Sequence, residues 1–343
     1  MPSDRALLVA AGGGSGDTLL ATVVARALRV RYAQVDALVL AAHRDIVERV
    51  PGIDRVFTLE DSALALGRRI GRERFDAAVV TWATLLTAEI PFLARIPVRV
   101  GQARRLYSRL FSERVVVRSE RGDRTTHWTQ ILLDYARAIG CDTADARPTF
   151  VPTAADERAA AALLSVHDIA GGFGLLHPTR GLSAQRSRWP IGGFVELARV
   201  LEGREALPLL VTGSRDDAAI AHAIADGCGR GTVSIAGATS LGVFGALAQR
   251  AAFVVAMDSG PMHIAAAVGA PTVGIFALQS DEPDRWAPLG ARTAVVRPTY
   301  PCPPAHRKET CPDFACVREL DVERILAAVD AVRQGSPGTS YSL

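Results

Sequence analysis

Short β-branched apolar runs alternate along this chain with longer stretches whose apolar residues recur every three or four positions, the two periods of buried strands and amphipathic helices. Ala6 to Ala11 predicts a first strand, followed by a glycine-rich loop from Gly12 to Asp17 and a helix from about Thr18 to Tyr32. Val35 to Leu40, Arg55 to Leu59 and Ala77 to Thr81 read as further strands, with helices near Asp45 to Val50 and Ser62 to Arg72 between them. This βαβ repetition implies a parallel sheet with right-handed crossovers. After an arginine-rich segment, His127 to Gly140 predicts a helix carrying Ile131, Leu132, Tyr135 and Ile139 on one face.

The segment 147–152, with Pro148 and Pro152, breaks the pattern and marks a linker. Domains over 1–150 and 151–334 are therefore expected, with a disordered tail over 335–343. The second half repeats the alternation through strands at Phe173 to His177, Leu207 to Thr212, Val233 to Ile235, Phe253 to Met257 and Thr272 to Phe276. Helices are expected between them, and a last one at Val322 to Val332. The expected fold class is α/β, two doubly wound, Rossmann-like domains facing each other across a cleft.

The sharpest local signal is the unit from Ala252 to Leu278. In a βαβ unit the loop after the first strand opens at the carboxyl edge of the sheet, and the next helix points its amides at whatever binds there. Pro261 suits the first helical turn and Gly260 admits close approach, so Asp258, Ser259 and His263 are the polar groups expected to face a ligand. Read locally, Asp258 is equally a plain helix cap and His263 a satisfied core histidine. Ser259 to Ser280 carries no formal charge over a length that could span a bilayer, but two prolines, three glycines and a strand-like second half argue against a membrane helix.

At 343 residues, 49% hydrophobic and 22% charged, the chain has material for about two globular domains with real cores. Its first apolar run ends in glycines before any cleavage site, and its cysteine count of five is odd, so a cytoplasmic, reducing setting is expected. A net charge of +3 does not mark a nucleic-acid binder. Its distribution is more telling, because Arg95 to Arg124 holds nine arginines against three acids, interleaved with Leu106, Tyr107, Leu110 and Phe111. Such a run is either a solvated face or a surface for an anionic partner, a membrane included.

The glycine loop does not fit the nucleotide fingerprints. Against a phosphate-binding P-loop, Asp17 stands where lysine is needed, and the spacing Gly12, Gly14, Gly16 is not G-x-G-x-x-G. An acid on such a loop either caps its helix or takes a proton from a bound hydroxyl. Cys302, His306, Cys311 and Cys316 could ligate zinc, but they lack C-x-x-C pairs, and reduced structural cysteines are the alternative. Trp189 and Trp286 could pack on a base or sugar, or in the core.

Five features occur in one order: Gly16-Asp17-Thr18-Leu19-Leu20, the strand Phe75 to Val80, His127 opening a helix, Arg188-Trp189-Pro190, and the block Asp258 to Ala267. Together with Thr310-Cys311-Pro312 and Cys316-Val317 they resemble the heptosyltransferases of glycosyltransferase family 9, which move heptose from ADP-heptose to lipopolysaccharide core. The resemblance runs from about residue 6 to 330. It implies a GT-B fold, with the acceptor on the N-terminal domain and the sugar nucleotide on the C-terminal one. Asp17 falls on the family's catalytic aspartate, and Gly14, Ser15, Gly16, Arg104 and Arg105 become the expected acceptor side. Met257, Asp258, Ser259, Gly260 and His263 form the implied donor loop, joined by Thr179 and Arg180, by Gly213, and by Asp216 near the acid that contacts the ribose.

One departure stands out. Where the family often has lysine before the Trp-Pro pair, this chain has Ser187 between Arg186 and Arg188, so an arginine is expected to meet the donor phosphates instead. There is no D-x-D pair, and no metal or cofactor is expected. The reading is an inverting, metal-independent transferase acting on a glycan, lipopolysaccharide-core, protein or small-molecule acceptor, with peripheral contact at the inner membrane face. A GT-B transferase or epimerase using another nucleotide sugar, and a non-catalytic sugar-nucleotide-binding subunit, are the alternatives.

Overall fold

Both halves of the chain build a wholly parallel sheet wound with helices on its two faces. The computed structural model describes residues 4–59, 62–180, 189–229, 231–299, 302–303, 311–335 and 340–341. The chain divides into two compact units, Met1–Phe150 and Val151–Leu343.

In the first unit the strands are β1 (Arg5–Ala10), β2 (Gln34–Val39), β3 (Val56–Thr58), β4 (Ala77–Val80), β5 (Val98–Gln102) and β6 (Glu113–Val115), in the order β3-β2-β1-β4-β5-β6. Its central strands are apolar on both faces, with Leu7, Leu8, Val79 and Val80 fully buried, as a sheet covered by helices requires. Two of these strands differ from expectation: β5 and β6 lie inside the arginine-rich run. Val98-Arg99-Val100 and Glu113-Arg114-Val115 put a charge at the middle position. At the sheet's margin such charges cost little and protect the edge from further pairing. The helix expected over Thr18 to Tyr32 is two helices, Ser15–Ala21 and Val23–Leu28. Thr22 sits between them with its hydroxyl on the Leu19 carbonyl at 2.6 Å, a local bond that competes with the helical ladder.

The second unit comprises β7 (Gly174–His177), β8 (Leu209–Val211), β9 (Thr232–Ser234), β10 (Phe253–Met257), β11 (Thr272–Ile275), β12 (Thr293–Val296) and β13 (Ser340–Tyr341), ordered β13-β12-β11-β10-β7-β8-β9. Ser340–Tyr341, expected in a disordered tail, instead extends the sheet by pairing in parallel with Val295 and Val296. The core below this sheet gathers Phe194, Leu197, Phe253, Val255, Ile325 and Val329. Trp189 joins it at 2% exposure, edge-on to Phe194 and donating its indole N–H to the Leu320 carbonyl, so its role is packing. Among the described residues no helix is long and apolar enough to cross a membrane.

The strand orders place one crevice in each unit. In the first sheet the winding reverses between β1 and β4, in the second between β7 and β10. At such a switch point neighbouring loops diverge to opposite faces and open a crevice beyond the carboxyl ends of the strands.

Candidate functional site

At the first switch point β1 runs into Ala11-Gly12-Gly13-Gly14 and the helix Ser15–Ala21. Gly13 takes a φ of +69°, and a β-carbon there would come within 2.6 Å of an Asp17 carboxylate oxygen, so only glycine turns this corner. Asp17 is the third helical residue, and its Oδ2 accepts the Gly14 N–H at 2.7 Å. That bond is a cap and also a positioning contact. It leaves Oδ1 without a hydrogen bond among the described residues. Burial raises the Asp17 pKa above the usual carboxylate value, against the opposing pull of the Gly14 N–H and of His43. A carboxylate with a raised pKa is a stronger base. His43, on the loop after β2, is held through Nδ1 by the Thr18 hydroxyl at 2.7 Å, and burial lowers its pKa despite Asp17 nearby.

Trp82, on the loop after β4, escaped sequence reasoning. Its ring lies flat on Gly12, where a β-carbon would meet Cδ1 at 2.0 Å, yet 40% of the residue is exposed. Arg104 and Arg105, on the loop after β5, are exposed. Arg105 pairs with Glu120 at 3.1 Å, and Tyr107 ties this loop to the β4 loop by donating to the Ala83 carbonyl at 2.6 Å. Much of the arginine run is structural: Arg99 donates to the Leu110 carbonyl, and Arg118 forks onto both oxygens of Asp134.

The second switch point is cross-linked. Arg180, after β7, bridges Asp258, after β10, at 2.9 Å and Asp281, after β11, at 3.0 Å. Burial draws the Arg180 pKa down, but the two carboxylates outweigh it and the guanidinium is held charged. Arg180 and Asp258 are thus each other's partner, and Asp281 completes the set. A second network joins β7 to β8: His177 Nδ1 meets the Thr212 hydroxyl at 2.9 Å, and the Thr179 hydroxyl donates to Asp217 at 3.2 Å. The same Asp217 oxygen takes the Ser214 amide at 3.1 Å. His177 is buried and its pKa falls to about 4, burial outweighing the attraction of Asp217.

Asp216, the acid expected at the ribose, is exposed, whereas its neighbour Asp217 is buried and organises the loop. The Ser214-x-x-Asp217 spacing, at which an acid reaches back to the amide and hydroxyl three residues earlier, was the signal for it. Gly213 packs against Asp217 and Ala236, where a β-carbon would come within 3.0 Å. Ser259 caps the helix Gly260–Ala267 and donates to the Met257 carbonyl at 2.9 Å. His263 is buried at 5% exposure. Met257 is corrected: its side chain belongs wholly to the core, because β10 is the central strand, and only its backbone reaches the loop. Arg186, Ser187 and Arg188 lie outside the described residues, as does His306. Cys302, Cys311 and Cys316 are free thiols, and among the described residues no group of three metal-ligating side chains occurs.

The family model described as glycosyltransferase family 9 (heptosyltransferase) matches residues 63–313. The lipopolysaccharide heptosyltransferase 2 of Salmonella typhimurium is 26% identical over 307 residues, 85% of this chain and 87% of that protein. Among solved structures, the ADP-heptose lipopolysaccharide heptosyltransferase II of E. coli superposes with a TM-score of 0.79 at 21% identity, covering 96% of this chain and 98% of its own. A family 9 glycosyltransferase from Veillonella parvula does so with 0.85 at 16% identity, covering 98% and 99%.

Proposed function

The chain belongs to glycosyltransferase family 9, and from that membership we propose that it transfers heptose from ADP-heptose to a lipopolysaccharide-core glycan, with inversion and with Asp17 as the base. The observation that carries this reading is the Asp17 carboxylate, fixed through one oxygen by the Gly14 amide, made more basic by burial and set beside the sheet's switch point.

The acceptor hydroxyl oxygen bonds to the anomeric carbon as its proton passes to Asp17. The bond from that carbon to the diphosphate oxygen breaks, and its electron pair leaves on ADP. Because the base and the leaving group act from opposite sides, the configuration inverts. Charge growing on the diphosphate meets the N-terminal amides of the helix Gly260–Ala267, which point at the loop of Asp258 and Ser259. Arg180, oriented by Asp258 and Asp281, adds a fixed cation at that loop, and Arg186 and Arg188 are the further candidates for the place of the family lysine. No metal is required by this arrangement of roles. Arg104 and Arg105 hold anionic groups of the acceptor, and Trp82 offers an aromatic face to a sugar ring.

The test offers ADP-, GDP- and UDP-heptose with heptose-deficient lipopolysaccharide and with no acceptor, reading the product by mass spectrometry and its anomeric configuration by NMR. An inverted glycoside formed only with acceptor, best from the ADP donor and undiminished by EDTA, is expected. Donor consumption without acceptor, or preference for the UDP sugar, would replace this reading with an epimerase or a different transferase.

A further inference from the structure

Trp82, on the loop after β4, covers one flank of the Asp17 corner, and the other flank belongs to the loop after β2, since β1 lies between these two strands. There β2 is followed by one tight helical turn, Ala41–His43, closed by the His43 amide on the Leu40 carbonyl at 2.9 Å. The turn brings the half-buried His43 ring to the helix Ser15–Ala21, where Nδ1 meets the Thr18 hydroxyl at 2.7 Å. Thr18 directly follows Asp17, so imidazole and carboxylate stand near enough for each to shift the other's pKa.

The bond to Thr18 fixes more than the ring's orientation. Thr18 is 1% exposed, and among the described residues its hydroxyl has no other hydrogen bond. Were Nδ1 the donor, the hydroxyl proton would be buried without an acceptor, which costs more than one such bond contributes. The hydroxyl therefore donates to Nδ1, and in the neutral ring the proton sits on Nε2. Burial lowers the His43 pKa, so the ring is uncharged at pH 7. Among the described residues Nε2 has no hydrogen-bond partner, and neither has Asp17 Oδ1. A fixed donor and a fixed acceptor are thus both unused at the carboxyl edge.

An uncharged N–H matches an uncharged oxygen. A phosphate or carboxylate would be drawn to a cation, and the neighbouring one, Arg44, is already paired with Glu48 at 2.6 Å. A sugar supplies what this pair lacks, two hydroxyls on adjacent carbons. We propose that His43 is an acceptor-binding residue, its Nε2–H donating to the hydroxyl oxygen next to the one whose proton passes to Asp17. The chain then selects an acceptor sugar with a vicinal diol and fixes which of the two hydroxyls is glycosylated. A donor placed on the reacting oxygen itself would occupy a lone pair on the atom that must reach the anomeric carbon, whereas a donor on its neighbour orients it at no such cost. Thr18, which touches only the ring, is a positioning residue. The assignment deepens the proposed transfer and rests on it.

Two substitutions separate the ring's two nitrogens. His43→Asn can still accept from Thr18 at the place of Nδ1 but has nothing at Nε2. His43→Gln carries an N–H to the place of Nε2 and gives up the Thr18 bond. The probe is ADP-heptose with O-deacylated, heptose-deficient lipopolysaccharide. His43→Asn should melt near the parent and raise acceptor KM about three- to tenfold, the worth of one neutral hydrogen bond. It should also yield a second linkage by NMR, as the other hydroxyl becomes available to Asp17. His43→Gln should melt lower, yet keep a single linkage and an acceptor KM within about twofold of the parent. If His43→Asn matches or betters His43→Gln on acceptor KM and linkage, the ring is a structural brace and the proposal is overturned.

A second measurement omits the donor and does not depend on turnover. In long-range proton–nitrogen spectra of protein labelled at histidine and tryptophan, the His43 ring is identified by its loss in His43→Gln. Its proton should sit on Nε2, and Nε2 should shift when the same lipopolysaccharide is added. A proton on Nδ1 overturns the inference whatever binds. A shift of the Trp82 indole with His43 unmoved overturns it and leaves the proposed acceptor in place. Silence at both rings removes that acceptor, and the inference with it.

Discussion

The two switch points share one architecture and use it in opposite ways. The first is sparsely bonded, with a glycine corner, a carboxylate tethered by one amide, a neutral histidine and a half-exposed indole. The second is stitched across three strands' loops by Arg180, Asp258 and Asp281, and across two by His177, Thr212, Thr179 and Asp217. An edge meant to move a proton needs a group whose bonding is incomplete. An edge meant to hold a charged ligand in one pose gains from side chains already fixed before it arrives. On this view mutations at the first edge should change chemistry with little effect on stability, and mutations at the second should cost stability together with the handling of the donor.

The largest expected effect is at Asp17. Asp17→Asn keeps an acceptor for the Gly14 N–H but cannot take a proton, so kcat should fall by about 10²- to 10⁴-fold with donor affinity unchanged. The stability sign is opposite to that of a structural acid. Because the folded pKa is raised, the folded state resists ionisation relative to the unfolded one, and this handicap is present at neutral pH, above the folded pKa. Removing the charge should leave the melting temperature equal or higher. A large loss of melting temperature with the activity loss would make Asp17 a cap and dissolve the contrast.

Arg180→Ala comes next. It strands Asp258 and Asp281, of which Asp281 is 7% exposed at its side chain, and breaking such an enclosed set costs about 3–5 kcal/mol. Hydrogen exchange should accelerate in the second unit alone. If exchange there is unchanged while donor affinity collapses, Arg180 serves the ligand rather than the scaffold.

His177 gives the pH form of the same contrast. Its folded pKa of about 4 lies below the unfolded value near 6.5, so the unfolded chain binds the extra proton first. The stabilisation from keeping it neutral is complete above about pH 6.5 and is lost as pH falls toward 4, by roughly 3 kcal/mol. Denaturant unfolding of the second unit at pH 7 and pH 4.5 should show that loss in the parent and much less of it in His177→Gln. Equal slopes would assign the acid sensitivity elsewhere.

How much of this was readable beforehand follows from what each feature depends on. The unit from Phe253 to Ile275 was plain because its strands are uninterrupted apolar runs and its loop has proline and glycine at the helix entrance. Strands β5 and β6 were hidden because Arg99 and Arg114 interrupt them and mask the apolar signal. Helix Leu85–Leu93 was hidden by Pro91 in its interior, though Thr84 and Thr87 cap it reciprocally. Asp17 was legible as a cap or a base, and only its single tether and raised pKa separate those roles. The Arg180, Asp258 and Asp281 set joins residues 78 and 101 positions apart, a pairing that no local pattern encodes.

The smallest expected effect probes the indole that braces the first edge. Gly12→Ala puts a β-carbon within 2.0 Å of Trp82 Cδ1. Cδ1 is near the root of the side chain, so the ring cannot clear the clash by moving its tip and must change rotamer or push the loop. Because 40% of Trp82 already faces solvent, a swing outward is open to it, which limits the cost to about 1–2 kcal/mol, toward the lower end of overpacking effects. The ring would then leave Gly12 and any sugar stacked on it. Trp82 emission, isolated by difference against Trp82→Phe, should shift toward the solvated indole, and acceptor KM should rise several-fold with donor binding unaltered. Unchanged emission and unchanged acceptor KM would show that the first edge does not depend on the indole, and would confine its chemistry to the glycine corner and Asp17.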